Sequence, residues 1–325
     1  MRLLKLVPED TNIDFLRWRK VASAMSFLLV VISLALVAIR GLNFGVDFVG
    51  GQSVRVEFAG TMPEIEEIRK AVGKIGLGDA TIQQFGSDKA VSIRTALPEG
   101  DKAAADRAGK QLVAGIQKAF PTAKTGAVET VSGKVSEELL RTGVISLTLA
   151  MLGISLYIWI RFEWQFGVGA LGRLFHEVSL TFGFFAVTQL QFDLNSVAAL
   201  LTIVGYSLND TIVVYDRIRE NLKKYRKMDI IPLLNLSINE TLSRTVMTSV
   251  SVLLALAVLL ILGPDVIFGF TAAMLLGVFV GTYSSILMST PVLVWLKVGP
   301  HSFVPRTTAE GGAERVARKD DGAVV

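Results

Sequence analysis

Asp210 occupies a position that demands a chemical reason. It lies in TIVGYSLNDTIVVY, residues 202–215, within an apolar stretch long enough to cross a bilayer as helix. A charged side chain at the bilayer centre costs about 2.5–3.5 kcal/mol on insertion scales, so an intramembrane acid is by default a candidate for handling protons or ions. Asp210 stands about six residues inside Asp216, roughly 9 Å along a helix rising ~1.5 Å per residue. Thr202, Tyr206 and Asn209 share a face that Asp210 borders, giving this helix a polar stripe to turn inward. An amide does not titrate in this range, so Asn209 is expected to orient or hydrogen-bond Asp210. The competing reading is a buried hydrogen-bond cluster that fixes helix register, a task Asn or Ser performs without a carboxyl group.

The preceding apolar stretch carries Arg173, His176 and Glu177 in LGRLFHEVSL. A spacing of four puts Arg173 and Glu177 on one helix face, where they can pair. Mutual neutralisation and transport chemistry are both open for them, and His176 reads as a packed, hydrogen-bonded residue. Arg244, in INETLSRTVMTSV, sits at the entrance to a later apolar stretch. It is either an interfacial arginine that snorkels to water or a cation that approaches Asp210 and stabilises its carboxylate. The chain has two histidines, His176 and His301, and no cysteine, so neither a metal site nor a cofactor is expected. It contains no phosphate-binding loop and no nucleophile elbow. An enzyme is not indicated; an ion gradient or a partner must supply any work.

These residues need elements to hold them. Of 325 residues, 51% are hydrophobic and 19% charged, and the charges cluster outside long apolar blocks. Six spans are predicted, over residues 21–39, 142–160, 166–190, 196–216, 246–262 and 266–296. The last is too long for one simple span and is expected to tilt or to extend at an end. The first follows Arg17, Arg19 and Lys20, exceeds the length of a signal-peptide core and reads as a retained anchor. Lys and Arg concentrate before the first span, in residues 217–244 after the fourth, and in the tail, whereas 191–195 and 263–265 contain none. Six spans then place every basic connection, and both termini, in the cytoplasm. The net charge of +4 sits beside the apolar blocks, so it orients helices and does not imply nucleic-acid binding. Glycines 269, 277 and 281, with Ser284 and Ser285, suggest close packing in the sixth span.

Residues 40–141 form a loop of about 100 residues, enough to fold alone. Strands are predicted at 52–59, 80–85, 90–95 and 124–131, and amphipathic helices at 63–75 and 101–120. The order β-α-β-β-α-β is that of a ferredoxin-like unit. Residues 1–20 read as a cytoplasmic segment, 142–296 as helices 2–6, and 297–325 as a cytoplasmic tail whose end, 312–325, is flexible.

Four motifs carry a resemblance: GVDFVGG at 45–51, FEWQF at 162–166, GYSLNDTIVVYDRIREN at 205–221 and NETLSRTVMTS at 239–249. With six spans and an external domain after the first, the chain resembles the SecD/SecF family of protein-export membrane subunits. The wider resemblance is to resistance-nodulation-division transporters, whose half-unit also has six spans. The resemblance implies a bacterial inner-membrane location with residues 40–141 periplasmic. It further implies a SecD partner, association with the SecYEG channel and YajC, and a translocating preprotein as client, driven by the proton-motive force. It assigns proton coupling to Asp210 and Arg244; Asn209 and Tyr206, from the polar stripe on the same helix, are the expected supporting polar contacts. The family commonly has His-Asp where this chain has His176-Glu177, and a small or apolar residue at 173. Those departures leave Arg173, His176 and Glu177 outside the expected core of the site. The alternatives are a half-size exporter of a small molecule or lipid, or a structural subunit that anchors SecD.

Overall fold

The computed structural model describes residues 8, 11–77, 80–85, 87–98 and 102–299. The tail and His301 therefore lie outside the described residues, as do Arg2 and Lys5.

Five segments are helical, long and apolar enough to cross a membrane: Phe15–Arg40, Gly133–Arg161, Leu194–Lys224, Ile230–Leu262 and Phe268–Trp295. The first is a short 3-10 turn leading into α1 (Arg19–Arg40), and the next three are α5, α7 and α8. The helix α6 (Trp164–Thr188) packs among them, but Arg173, His176 and Glu177 make it less apolar. The fifth segment is interrupted. The chain runs as α9 (Phe268–Leu287), then α10 (Ser289–Trp295), with Met288 between them. Pro291 accounts for the break, because it cannot donate to the carbonyl of Leu287 and its ring crowds that carbonyl.

Several helices continue well past the apolar blocks that predicted them. The helix α8 starts at Ile230, after Asp229 and with Pro232 in its first turn, although its apolar block begins only near residue 246. Likewise α7 runs on to Lys224, through the charged DRIREN sequence. Hydropathy reports where a helix meets lipid; the backbone hydrogen-bond ladder continues beyond it.

Between α1 and α5 lie a four-residue helix, α2 (Val46–Val49), and a small antiparallel sheet. Its elements are β1 (Gly51–Phe58), α3 (Ile65–Gly73), β2 (Ala80–Phe85), β3 (Ser87–Thr95), α4 (Lys102–Ala119) and β4 (Ala123–Val131). The strand order is β2-β3-β1-β4. Strand β1 alternates, sending Val54, Val56 and Phe58 against Ile68, Val72, Leu112 and Ile116 of the two helices. Strand β3 begins at Ser87, ahead of the predicted position 90, because Ser87 pairs with Phe85 of β2, whereas pairing with β1 starts at Ala90.

A clasp joins this sheet to the helices. Gly45 N–H donates to Phe192 O at 2.8 Å, and Phe192 N–H donates to Asn43 O at 2.7 Å. Asn43 Nδ2 donates to Gln189 O at 2.8 Å, and Leu194 N–H to Asp47 Oδ2 at 3.0 Å. Phe44 and Phe48 pack edge-on or tilted against Phe192, and Arg94 of β3 donates to Phe44 O. The turn into β1 passes through Gly50 and Gly51, with φ of 76° and 116°. A Cβ on Gly51 would stand 2.6 Å from Thr95 O, so only glycine fits there.

Candidate functional site

The α7 helix presents Asp210 to the interior of the bundle. Its N-terminus is fixed by a capping box in which Asp193 Oδ1 accepts from Ser196 N–H at 2.9 Å and Ser196 Oγ accepts from Asp193 N–H at 3.2 Å; Ser196 Oγ also donates to Asp193 Oδ1 at 2.9 Å. Burial of Asp193 in the clasp pushes its carboxyl above the ordinary aspartate range, against the lowering effect of the two Ser196 hydrogen bonds. Seventeen residues on, roughly 25 Å at ~1.5 Å per residue, Asp210 is 5% exposed. Gly277 of α9 lets α9 close on α7; a Cβ there would lie 2.5 Å from Ile203.

The group at the centre of the site is Arg173, fully buried on α6. Its Nε donates to Glu177 Oε1 at 2.9 Å and to Ser284 Oγ of α9 at 3.0 Å. Its Nη1 donates to Ser207 O at 2.9 Å and to Thr211 Oγ1, both on α7. Its Nη2 donates to Gly281 O of α9 at 2.7 Å. Ser284 Oγ also donates to Glu177 Oε1 at 2.5 Å. One guanidinium therefore ties three helices together, and Ser207 and Thr211 flank Asp210 on α7.

The strongest charge acting on the Asp210 carboxyl is that of Arg173, followed by Arg244 and then Glu177. Three buried oxygens at this site have no hydrogen-bond partner among the described residues: Asp210 Oδ2, Glu177 Oε2 and Ser207 Oγ. On the neighbouring face of α6, His176 Nε2 and Tyr283 OH are 3.1 Å apart.

The expected residues are thus distributed unequally. Arg173 and Glu177, set aside on sequence grounds, lie where α6 meets α7, and Arg173 bonds Ser207 and Thr211 on either side of Asp210 without forming an ion pair with Asp210 within 4.0 Å among the described residues. Arg244 is exposed on α8 and, among the described residues, forms no ion pair with Asp210 within 4.0 Å. Asn209 is exposed and not hydrogen-bonded to Asp210, and Tyr206 is half-buried with its hydroxyl unpartnered. Thr211 and Ser207 were missed, and Gly281 was read for close packing alone. Their signal was available as spacing, since Ser207, Asp210 and Thr211 share one face, as do Gly281, Ser284 and Ser285.

At the end of the bundle away from the sheet, the remaining motif residues make a second network. Arg161 pairs with Asp216 at 2.9 Å and Arg217 with Glu240 at 3.6 Å. Asn221 Nδ2 donates to Ser237 Oγ and Glu240 Oε2, and Asn239 exchanges two 2.9 Å hydrogen bonds with the backbone of Ile13. These groups hold α7, α8 and the N-terminal segment together.

Comparison with known proteins agrees with this geometry. Residues 111–299 match the model for the C-terminal region of the protein export membrane proteins SecD/SecF, and residues 35–62 match the SecD/SecF GG motif. The chain belongs to the SecD/SecF family. The SecD/SecF GG motif covers the Gly50-Gly51 turn whose backbone excludes a side chain. Among relatives, protein translocase subunit SecF of Rhodobacter capsulatus is 47% identical over 305 residues, 90% of this chain and 91% of the relative. The SecF subunits of Cereibacter sphaeroides and Rickettsia rickettsii are 42% and 41% identical, over 91% and 89% of this chain and 93% and 94% of theirs. The crystal structure of SecDF from Thermus thermophilus, a translocon-associated membrane protein, superposes with a TM-score of 0.81 at 34% identity. That match covers 90% of this chain but 40% of the SecDF chain. SecDF in its super-membrane-facing form superposes with a TM-score of 0.65, again at 34% identity, over 89% of this chain and 39% of that one. This chain is a SecF-type protein translocase subunit of the membrane, with an accessory and non-catalytic role.

Proposed function

We propose that this SecF-type subunit couples proton movement to protein export across the bacterial inner membrane, working in complex with a SecD partner. The carrying observation is Asp210, a buried carboxyl group with an unpartnered oxygen, which feels the charges of the buried cation Arg173 and the exposed cation Arg244. Protonation removes a charge from a low-dielectric interior and so changes which helix arrangement is favoured. Ionisation is stabilised when Arg244 draws in. Tyr206 and Asn209, on the outer side of α7, act as supporting polar groups at the contact with the partner.

The partner's seat is readable as a polar surface at membrane depth. Thr202, Gly205 and Asn209 of α7 and Arg244, Thr248 and Ser251 of α8 are all exposed on this chain alone. Presenting an amide and a guanidinium to acyl chains is costly, whereas a second helical unit can satisfy them. The SecDF chains are more than twice as long as the segment this chain matches, which leaves room for such a unit. SecYEG, YajC and the translocating preprotein follow as partners by family resemblance.

The membrane arrangement is read as six spans, α6 included. Its Arg173, His176 and Glu177 are each 1% exposed and turned inward, while Leu171, Phe175 and Val187 face out. The end bearing Arg161, Arg217, Lys223 and Lys224 is then cytoplasmic, with both termini on that side. Residues 40–141 are periplasmic, and their strand order and β-α-β-β-α-β sequence are read as ferredoxin-like. The clasp at 43–47 and 189–194 links α7, which carries Asp210, to this external unit.

The test is Asp210→Asn in cells, with gradient-dependent export of a secreted protein and assembly with SecD measured on the same strain. Lost gradient dependence with normal assembly is expected; undiminished export excludes the proton role. A purely anchoring role, favoured by the interhelical bonds of Arg173, predicts export loss only in step with assembly loss.

A further inference from the structure

Proton coupling at Asp210 gives Glu177 no part beyond answering the charge of Arg173, yet the two acids share three features. Each is buried, each feels the charge of Arg173, which pairs directly with Glu177, and each keeps one oxygen, Glu177 Oε2 or Asp210 Oδ2, without a hydrogen-bond partner among the described residues. The guanidinium serves both sides at once. Nε holds Glu177 Oε1, and Nη1 holds the Ser207 carbonyl and Thr211 hydroxyl that flank Asp210 on α7.

The other groups facing this centre can be enumerated. On α6 it is joined by His176, and α9 brings Tyr283, which stands against His176 and feels the charge of Glu177. Tyr215 of α7 feels the charge of Arg173, and α8 brings Arg244 at the exposed edge. The membrane portions of α1, α5 and α10 carry no Asp, Glu, Lys, Arg or His. With Arg244 at the edge, the enclosed charge is therefore one guanidinium against two carboxyl groups.

We propose that Glu177 is a second proton-binding residue of the site, sharing with Asp210 a single proton whose presence Arg173 fixes. This deepens the proton-coupling reading and rests on it. Two carboxylates and one guanidinium sum to one excess negative charge in a water-poor interior, which is costly. Binding one proton, delivered from water, converts one carboxylate to a carboxylic acid and leaves the centre neutral. The open oxygens of Glu177 and Asp210 are the two places for it. When Arg244 moves inward the count becomes two cations, both acids ionise, and the shared proton is released to water. Arg173 thereby acts as a positioning residue that sets how many protons the site holds.

Infrared titration of the complete chain, assembled with SecD in lipid vesicles, reads this directly through the stretching band of a buried carboxylic acid. In the wild type, one such acid is expected near neutral pH, and selective 13C labelling of glutamate carboxyls shifts part of its band. In both Glu177→Gln and Asp210→Asn the band is expected to vanish near neutral pH, because Arg173 then faces a single acid. The amide of Glu177→Gln keeps an oxygen for Arg173 and Ser284, and SecD co-purification confirms that the complex remains assembled. A wild-type band untouched by the glutamate label, or retained unchanged in Glu177→Gln, overturns the shared proton while leaving Asp210 as the sole carrier. A wild-type complex showing no titrating buried acid overturns both readings.

Discussion

At the scale of single residues, Arg173 decides the character of the site. A buried cation is tolerable only when its donors and its charge are answered, and here Glu177, Ser207, Thr211, Gly281 and Ser284 answer them. Ser284 is the shared member, accepting from Arg173 and donating to Glu177. Ser284→Ala removes both contacts and leaves charged groups less satisfied, at a cost of about 1–3 kcal/mol. A lowered melting temperature of the detergent-purified protein checks this; an unchanged one shows that the hydroxyl is dispensable. The Arg173–Glu177 pair was legible in the sequence, because spacing within one helix fixes which side chains meet. Their approach to Asp210 was not, since spacing within a helix is silent on which other helix lies opposite. For the same reason the two readings of Arg244, snorkelling to water or approaching Asp210, stayed open in the sequence.

At the scale of elements, helix ends and close approaches carry the architecture. Gly277 faces Ile203 across the α7–α9 contact, where an added methyl group would overlap the isoleucine. Gly277→Ala is expected to destabilise by about 1–3 kcal/mol, and Ile203→Val in the same chain should recover part of it in thermal melts. Asp193 behaves differently from an ordinary capping acid. Its folded carboxyl titrates above the unfolded value because burial outweighs its hydrogen bonds. The stability it contributes is therefore fully present below the unfolded pKa, near 3.9, and fades as pH rises through the raised folded value. Asp193→Asn keeps a good cap without the buried charge. Melting temperatures of the two proteins should accordingly diverge in the variant's favour as pH rises through that window. A constant difference across pH would contradict this. The sheet elements were read from alternation and helical periodicity, which depend on local burial. The start of α8 at Ile230 and the break at Met288 were missed, since apolarity marks lipid contact more faithfully than helix ends.

At the scale of the whole molecule, coupling requires a change of form. The chain superposes on SecDF with a TM-score of 0.81 and on SecDF in its super-membrane-facing form with 0.65, both at 34% identity. A bundle whose polar centre can gain or lose one charge, clasped to an external domain through residues 189–194, has the parts such a change requires. The exposed strip of Thr202, Gly205, Asn209, Arg244 and Thr248 is expected to be covered in the complex. Cysteines introduced singly at 205 and 248 should react with a membrane-permeant thiol reagent in the isolated chain and be protected when SecD is present. Equal labelling in both would place the partner elsewhere.

The central claim, that Asp210 couples the proton gradient to export, is tested most directly in inverted membrane vesicles. Export of a preprotein is compared with and without an imposed proton gradient, for wild type and for Asp210→Asn assembled to the same level with SecD. The account predicts gradient stimulation in the wild type and none in the variant. Equal stimulation in both would contradict it.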